Sequence, residues 1–153
     1  MKWEDNVRKV VPYVAGEQPK KANVIKLNTN ECPYPPAPGV RKLAEEMDYD
    51  KLRLYPDTDS TILVKELADY YGVKPSQVFV GVGSDDVLAP ALVTFFDSGR
   101  PILFPDITYS FYKVWAELYR IPYECQKLDD NFRIVKEDYY KENGGIIFPN
   151  PNA

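Results

Sequence analysis

"FVGVGSDD", Phe79 to Asp86, decides the fold class. An apolar, β-branched run meets two glycines and then a serine and two aspartates that suit the first turn of a helix. The pattern predicts a buried strand over "QVFVGVG" and a helix that carries Val87, Leu88, Ala91, Leu92 and Phe95 as its apolar stripe. A glycine-rich strand-to-helix turn presents free N–H groups to an anion and lets the backbone come close to it. Capping of the helix by Ser84 and Asp85, worth about 0.5–2 kcal/mol, accounts for the same residues without a ligand. The nearest dinucleotide pattern, G-x-G-x-x-G, fails at its third glycine, where Asp86 stands, and Asp106 meets its distal acid only loosely.

Downstream, strand and helix signals alternate. "ILFP", "PYECQKL" and "GIIFP" read as strands, and Phe111, Val114, Trp115 and Leu118 mark a helix between the first two. Such alternation predicts an α/β fold with a mainly parallel sheet covered by helices on both faces. Upstream the signals are weaker. Val7, Val10, Val11 and Val14 recur at helical spacing, although Pro12 shortens any helix there. Val24 to Leu27 reads as a short extended piece and "NECPYPPAPG" as a loop. Val40, Leu43, Ala44 and Met47 mark an amphipathic helix, and a further helix carries Leu63, Leu67 and Tyr71, with Asp59 or Ser60 as its cap. Residues 1–22 read as an N-terminal helical arm and 23–153 as part of one α/β domain.

Composition narrows the chemistry. A hydrophobic share of 44% in 153 residues supports a packed core. The net charge of -4, from 19 basic and 23 acidic residues without long blocks, gives no footprint for nucleic acid. The first residues lack the apolar run of a signal peptide and no stretch suits a membrane span, so a cytoplasmic location is expected. The chain has no histidine, which removes Ser-His-Asp and Cys-His machinery and the commonest metal ligand. Cys32 and Cys125 form no CxxC pair, and no metal site is expected.

The strand ends supply the remaining candidates. "FPDITYSFY" places Tyr109 and Tyr112 after one strand, and "PNPN" follows another. Ligands of open parallel sheets bind beyond the carboxyl ends of the strands. An aromatic there can stack on a planar ring for about 0.5–1.5 kcal/mol, and an asparagine amide can bond a ring substituent. Opening an amphipathic helix and closing a proline-flanked turn are the alternatives for these residues. Their convergence with "GSDD" at one edge favours a ligand.

The stretches "IKLNTNECPYPP", "LRLYPDTDSTILVKELADYYGV", "VFVGVGSDDVL", "ILFPDITYSFY" and "FPNPNA" together resemble, in order and over nearly the whole chain, the N-terminal portion of the histidinol-phosphate aminotransferases. These are pyridoxal-phosphate enzymes of fold type I. The resemblance implies the N-terminal part of the large domain, transamination of histidinol phosphate with 2-oxoglutarate in histidine biosynthesis, and a homodimer. It implies that Ser84 and Asp85 offer backbone N–H groups to the cofactor phosphate. Tyr109 would stack on the pyridine ring and Asn152 bond the ring hydroxyl. Tyr55 would reach the phosphate of the other subunit's cofactor, and Tyr13 and Asn30 would lie near the substrate.

Asp86 stands where this family usually has Glu, and Cys32 and Pro35 stand where it has Asn and Gly. The closing motif normally continues into Pro-Thr-Gly, so the chain reads as a truncated portion that ends inside a cofactor turn. The family's Schiff-base lysine, its pyridine-facing carboxylate and its substrate arginine lie beyond that motif. No catalytic residue is therefore expected in this chain, which reads as inactive alone. The resemblance also implies that further strands sit between "FVGVG" and "GIIFP". A threonine-phosphate decarboxylase-like enzyme shares the N-terminal pattern, and a non-catalytic dimerising fragment is the reading from another class.

Overall fold

Ile102–Pro105 forms β1, and all four of its residues are buried. Tyr123–Gln126 (β2) and Gly145–Ile146 (β3) flank it, both parallel, in the order β2-β1-β3. Ile102 lies opposite Tyr123 on one side and Gly145 on the other. A central parallel strand is covered on both faces, which is why "ILFP" has no polar alternation. The structure is a computed structural model that describes residues 2–14, 16–17, 19–21 and 23–152. The chain divides into two units, one of residues 1–13 and 81–153 and the other of residues 14–80.

In the first unit, Ser84–Phe95 (α3) precedes β1, and Phe111–Tyr119 (α4) connects β1 to β2. Leu92 from α3, Tyr112, Trp115 and Ala116 from α4, Ile102 and Phe104 from β1, and Ile121 form its core. The Phe104 ring stacks on Tyr123 at 5.4 Å and meets Tyr112 at 5.8 Å. Burying Phe104 fully contributes roughly 1.5–3 kcal/mol. The end of β3 is less covered, with Ile146 and Phe148 both exposed by more than two-fifths. α4 ends at Arg120, whose φ of 59° puts it in the left-handed region, and Ile121 N–H returns to the Ala116 carbonyl at 2.8 Å. The segment before Tyr13 is tied to this unit. The Arg8 guanidinium donates to the Leu118 carbonyl, and Tyr13 stacks on Phe111.

The second unit holds the helices Pro38–Glu45 (α1) and Thr61–Tyr71 (α2), with short 3-10 turns at Tyr49–Arg53 and Pro75–Gln77. Pro38 opens α1, where its missing N–H costs nothing. Gly72 closes α2 at φ 67°, and Val73 N–H bonds the Ala68 carbonyl at 3.0 Å.

Four expectations change. The stretch 78–83 is not a strand, and Phe79 and Val82 are largely exposed. A strand needs a partner for its N–H and C=O groups, and both edges of β1 are taken by β2 and β3. Among the described residues the valine-spaced N-terminal helix does not form, and a 3-10 turn stands at Trp3–Asn6. Pro12 and the β-branched residues around it outweigh the periodicity. Met47 falls beyond the end of α1. Neither Asp59 nor Ser60 caps α2 with its side chain. Asp57 does so instead, accepting from Thr61 N–H at 2.7 Å and from Asp59 N–H at 3.1 Å. These bonds, the Thr61 side chain's first, hold the Asp57 carboxyl below the usual aspartate range. Among the described residues, no helix is long and apolar enough to cross a membrane.

Candidate functional site

Gly83 precedes α3 with φ 90° and ψ 172°, a conformation that favours glycine. Having no side chain, it leaves the first N–H groups of the helix without a side-chain cap. This corrects the capping reading, because Ser84 and Asp85 are inside the first turn. The space where a Gly83 Cβ would stand is open. At Gly81 a Cβ would lie 2.8 Å from the Asp86 Oδ2 and 3.0 Å from Val87. Asp86 instead turns back to accept from Val82 N–H at 3.0 Å, which fixes the glycine turn.

The loop after β1 reaches the same place. Asp106 Oδ1 accepts from Ile107 N–H at 3.0 Å and from Leu128 N–H at 3.1 Å, anchoring the loop's start. Three residues after Asp106, the Tyr109 hydroxyl donates to Asp85 Oδ1 at 2.8 Å. Its ring meets Phe111 at 5.5 Å, Tyr112 edge-on at 5.7 Å and Trp115 at 6.2 Å. Burial first, then the Asp85 carboxylate, and then Tyr13 and Tyr112 push the Tyr109 phenol up to about 12. It is therefore a protonated donor throughout the neutral range. The Tyr13 ring stacks on Phe111 at 4.3 Å and 25°, which adds a second aromatic to the cluster.

The turn after β3 closes the arrangement. Asn152 Nδ2 donates to the Ile107 carbonyl at 2.9 Å, and Thr108 Oγ1 donates to Asn152 Oδ1 at 2.8 Å. Thus Asp85, Tyr109, Tyr13 and Asn152 meet through the 107–111 segment, with Ser84 beside Asp85. Tyr55 and Asn30 belong to the second unit, where Tyr55 is 96% exposed and Asn30 sits in a left-handed turn at φ 51°. Thr108 and Ile107 were not foreseen as partners of the asparagine, and no local pattern marks them. Among the described residues, no cluster of His, Cys, Asp and Glu could hold a metal ion.

A glycine turn into a helix, an aromatic after β1 and an asparagine after β3 thus converge at one edge of the first unit. The profile of the family described as "Aminotransferase class I and II" matches residues 22–153, and the chain belongs to that family. The curated relatives are more particular. Over 153 residues the chain is 51% identical to the histidinol-phosphate aminotransferase of Lactococcus lactis subsp. cremoris (strain MG1363), covering 100% of this chain and 43% of that protein. It is 56% identical over 151 residues to histidinol-phosphate aminotransferase 1 of Hydrogenovibrio crunogenus, covering 99% of this chain and 42% of the relative. The histidinol-phosphate aminotransferase of Clostridium beijerinckii is 52% identical over 151 residues, again 99% and 42%. The chain spans less than half the length of these relatives.

Proposed function

We propose that this chain supplies the phosphate- and ring-binding side of a pyridoxal-phosphate site in a histidinol-phosphate aminotransferase. The whole protein would transfer an amino group between histidinol phosphate and 2-oxoglutarate as a cytoplasmic homodimer. In the arrangement proposed, residues 1–22 serve as an arm and 23–153 as part of the cofactor-binding domain. One observation carries the reading: the side-chain-free cap of α3 is joined to the aromatic Tyr109 through Asp85, at 2.8 Å.

The residues fit the cofactor. Gly83 leaves the backbone bare where a phosphate would approach, and the N–H groups of Ser84 and Asp85 are the donors for it. Tyr109 supplies a ring for stacking, held by its hydroxyl rather than free to turn. Asn152 keeps amide capacity for a ring substituent. Tyr13, Asn30 and Tyr55 are assigned to the substrate and to the neighbouring subunit's phosphate by resemblance. When bound, pyridoxal phosphate supplies an electron sink for chemistry at the substrate carbon.

The Asp85 and Asp86 carboxylates oppose a bound phosphate, although each already accepts a hydrogen bond. A helix end contributes about 0.3–2 kcal/mol to an anion and stacking about 0.5–1.5 kcal/mol. Together they fall short of the roughly 4 kcal/mol of a millimolar complex, so this chain alone should bind weakly. Titration of the isotopically labelled chain with pyridoxine phosphate, whose alcohol cannot react with lysines, should shift the backbone amides of Gly83, Ser84 and Asp85. Pyridoxine without phosphate should not move them. Equal shifts from both ligands, or none from either, would refute the reading.

A further inference from the structure

The Asn152 amide is held at both ends, and each bond decides something different. Its Nδ2 faces the Ile107 carbonyl at 2.9 Å, and a carbonyl can only accept. Turning the amide over would set two oxygens against each other, so the Ile107 carbonyl fixes which end carries the nitrogen. Oδ1 then faces the Thr108 hydroxyl at 2.8 Å, which must act as donor. These bonds use one of the two amide N–H groups. The second N–H remains, and it can only donate. A ligand atom served by it must therefore be an acceptor.

We propose that Thr108 is a positioning residue: its hydroxyl, with the Ile107 carbonyl, locks the Asn152 amide so that one N–H is offered to an oxygen acceptor on a planar ring ligand. This rests on the reading of the site as a pyridoxal-phosphate site, where that oxygen is the ring's phenolic one. Thr108 is adjacent to Tyr109, so one short segment sets both the plate under the ring and the donor at its edge. Without the hydroxyl, the amide keeps only the Ile107 bond and can swing about its terminal torsion, which is broad. The lock makes the site prefer a ring that bears the oxygen over one that lacks it.

Two measurements test this on the whole chain. In the labelled protein without ligand, the Asn152 side-chain amide should give two distinct proton signals, one of them protected from solvent exchange. Thr108→Val, which keeps the shape and removes the donor, should lose the protection and shift both signals, and Thr108→Ser should restore them. Unchanged Asn152 signals in Thr108→Val would overturn the proposal. If Thr108→Val does not fold, Thr108→Ala compared with Thr108→Ser makes the same comparison.

The second measurement is a ratio of affinities for pyridoxine phosphate and its analogue lacking the phenolic oxygen. One hydrogen bond corresponds to a preference of about two- to tenfold. Wild type and Thr108→Ser should show it, and Thr108→Val should bring the ratio close to one. A general loss of structure would weaken both ligands equally and leave the ratio intact. The same ratio in wild type and Thr108→Val refutes the lock. Failure of wild type to bind either ligand refutes the cofactor reading instead, and the ligand-free Asn152 signals then decide the role of Thr108.

Discussion

Replacing Tyr109 by Phe should remove one hydrogen bond and little else. The ring would keep its neighbours Phe111, Tyr112 and Trp115, and the Asp85 carboxylate would lose its 2.8 Å donor. Hydrogen bonds to charged groups are worth about 1.5–3 kcal/mol in mutational series. Asp85 is exposed and water can replace the hydroxyl, which lowers the expected loss to about 1 kcal/mol. Asp85→Ala should cost a similar amount, plus a few tenths of a kcal/mol for removing an acid from the first turn of α3. In the double variant the two losses should not add, leaving a coupling of about 1 kcal/mol by urea denaturation. The pair also has a pH signature. Because the folded phenol titrates at about 12, above the ordinary 10, the folded state holds more protons between those values. The stabilisation is then complete below pH 10 and is lost as the pH rises through 12. Tyr109→Phe should flatten this alkaline limb. A coupling below about 0.3 kcal/mol, within the scatter of independent sites, together with an unchanged alkaline limb, would refute the reasoning.

Gly81→Ala should displace the Asp86 carboxylate from Val82 N–H, because the new Cβ would stand 2.8 Å from Oδ2. A loss of about 1 kcal/mol with the fold retained is expected by thermal melting, and no loss would mean that the glycine turn is looser than described. Asp57→Ala should destabilise α2 at neutral pH. Because the folded carboxyl lies below the usual range, this contribution is present above the ordinary aspartate pKa of about 4 and disappears as the pH falls through the folded value. Melting curves of wild type and variant that differ equally at acid and neutral pH would contradict it. The chain should self-associate, since Ile146 and Phe148 at the end of β3 and Tyr55 in the second unit are exposed. Light scattering that shows a clean monomer at high concentration would count against this.

Local signals carried much of the first unit and failed where partners were remote. "ILFP" was readable because an apolar run of four between turn signals suits a central strand, and Phe111, Trp115 and Leu118 because a stripe three to four residues apart suits one helix face. "FVGVG" carried an equally strong strand signal, yet a ladder also needs a neighbour, which its own residues cannot supply. Tyr109 and Asn152 were legible through the rule for strand ends. Their partners were not: Tyr109 and Asp85 are 24 positions apart and meet where α3 packs beside β1, and Thr108 and Asn152 are 44 apart and meet because β1 and β3 are paired. Asp57 was missed for a smaller reason. It sits three residues before Ser60 and reaches past it to Thr61 N–H, outside the position next to the helix where a capping side chain ordinarily stands.

The tie between Arg8 and the Leu118 carbonyl has a consequence for the order of assembly. The two residues are separated by 110 positions, so during synthesis Arg8 leaves the ribosome long before its acceptor exists. At about 5–20 residues per second the wait is roughly 5–20 s. Tyr13 waits almost as long for Phe111. In that interval the Arg8 guanidinium and the Tyr13 ring have neither of these partners in the emerging chain. These two ties can therefore close only once the α4 residues have been made.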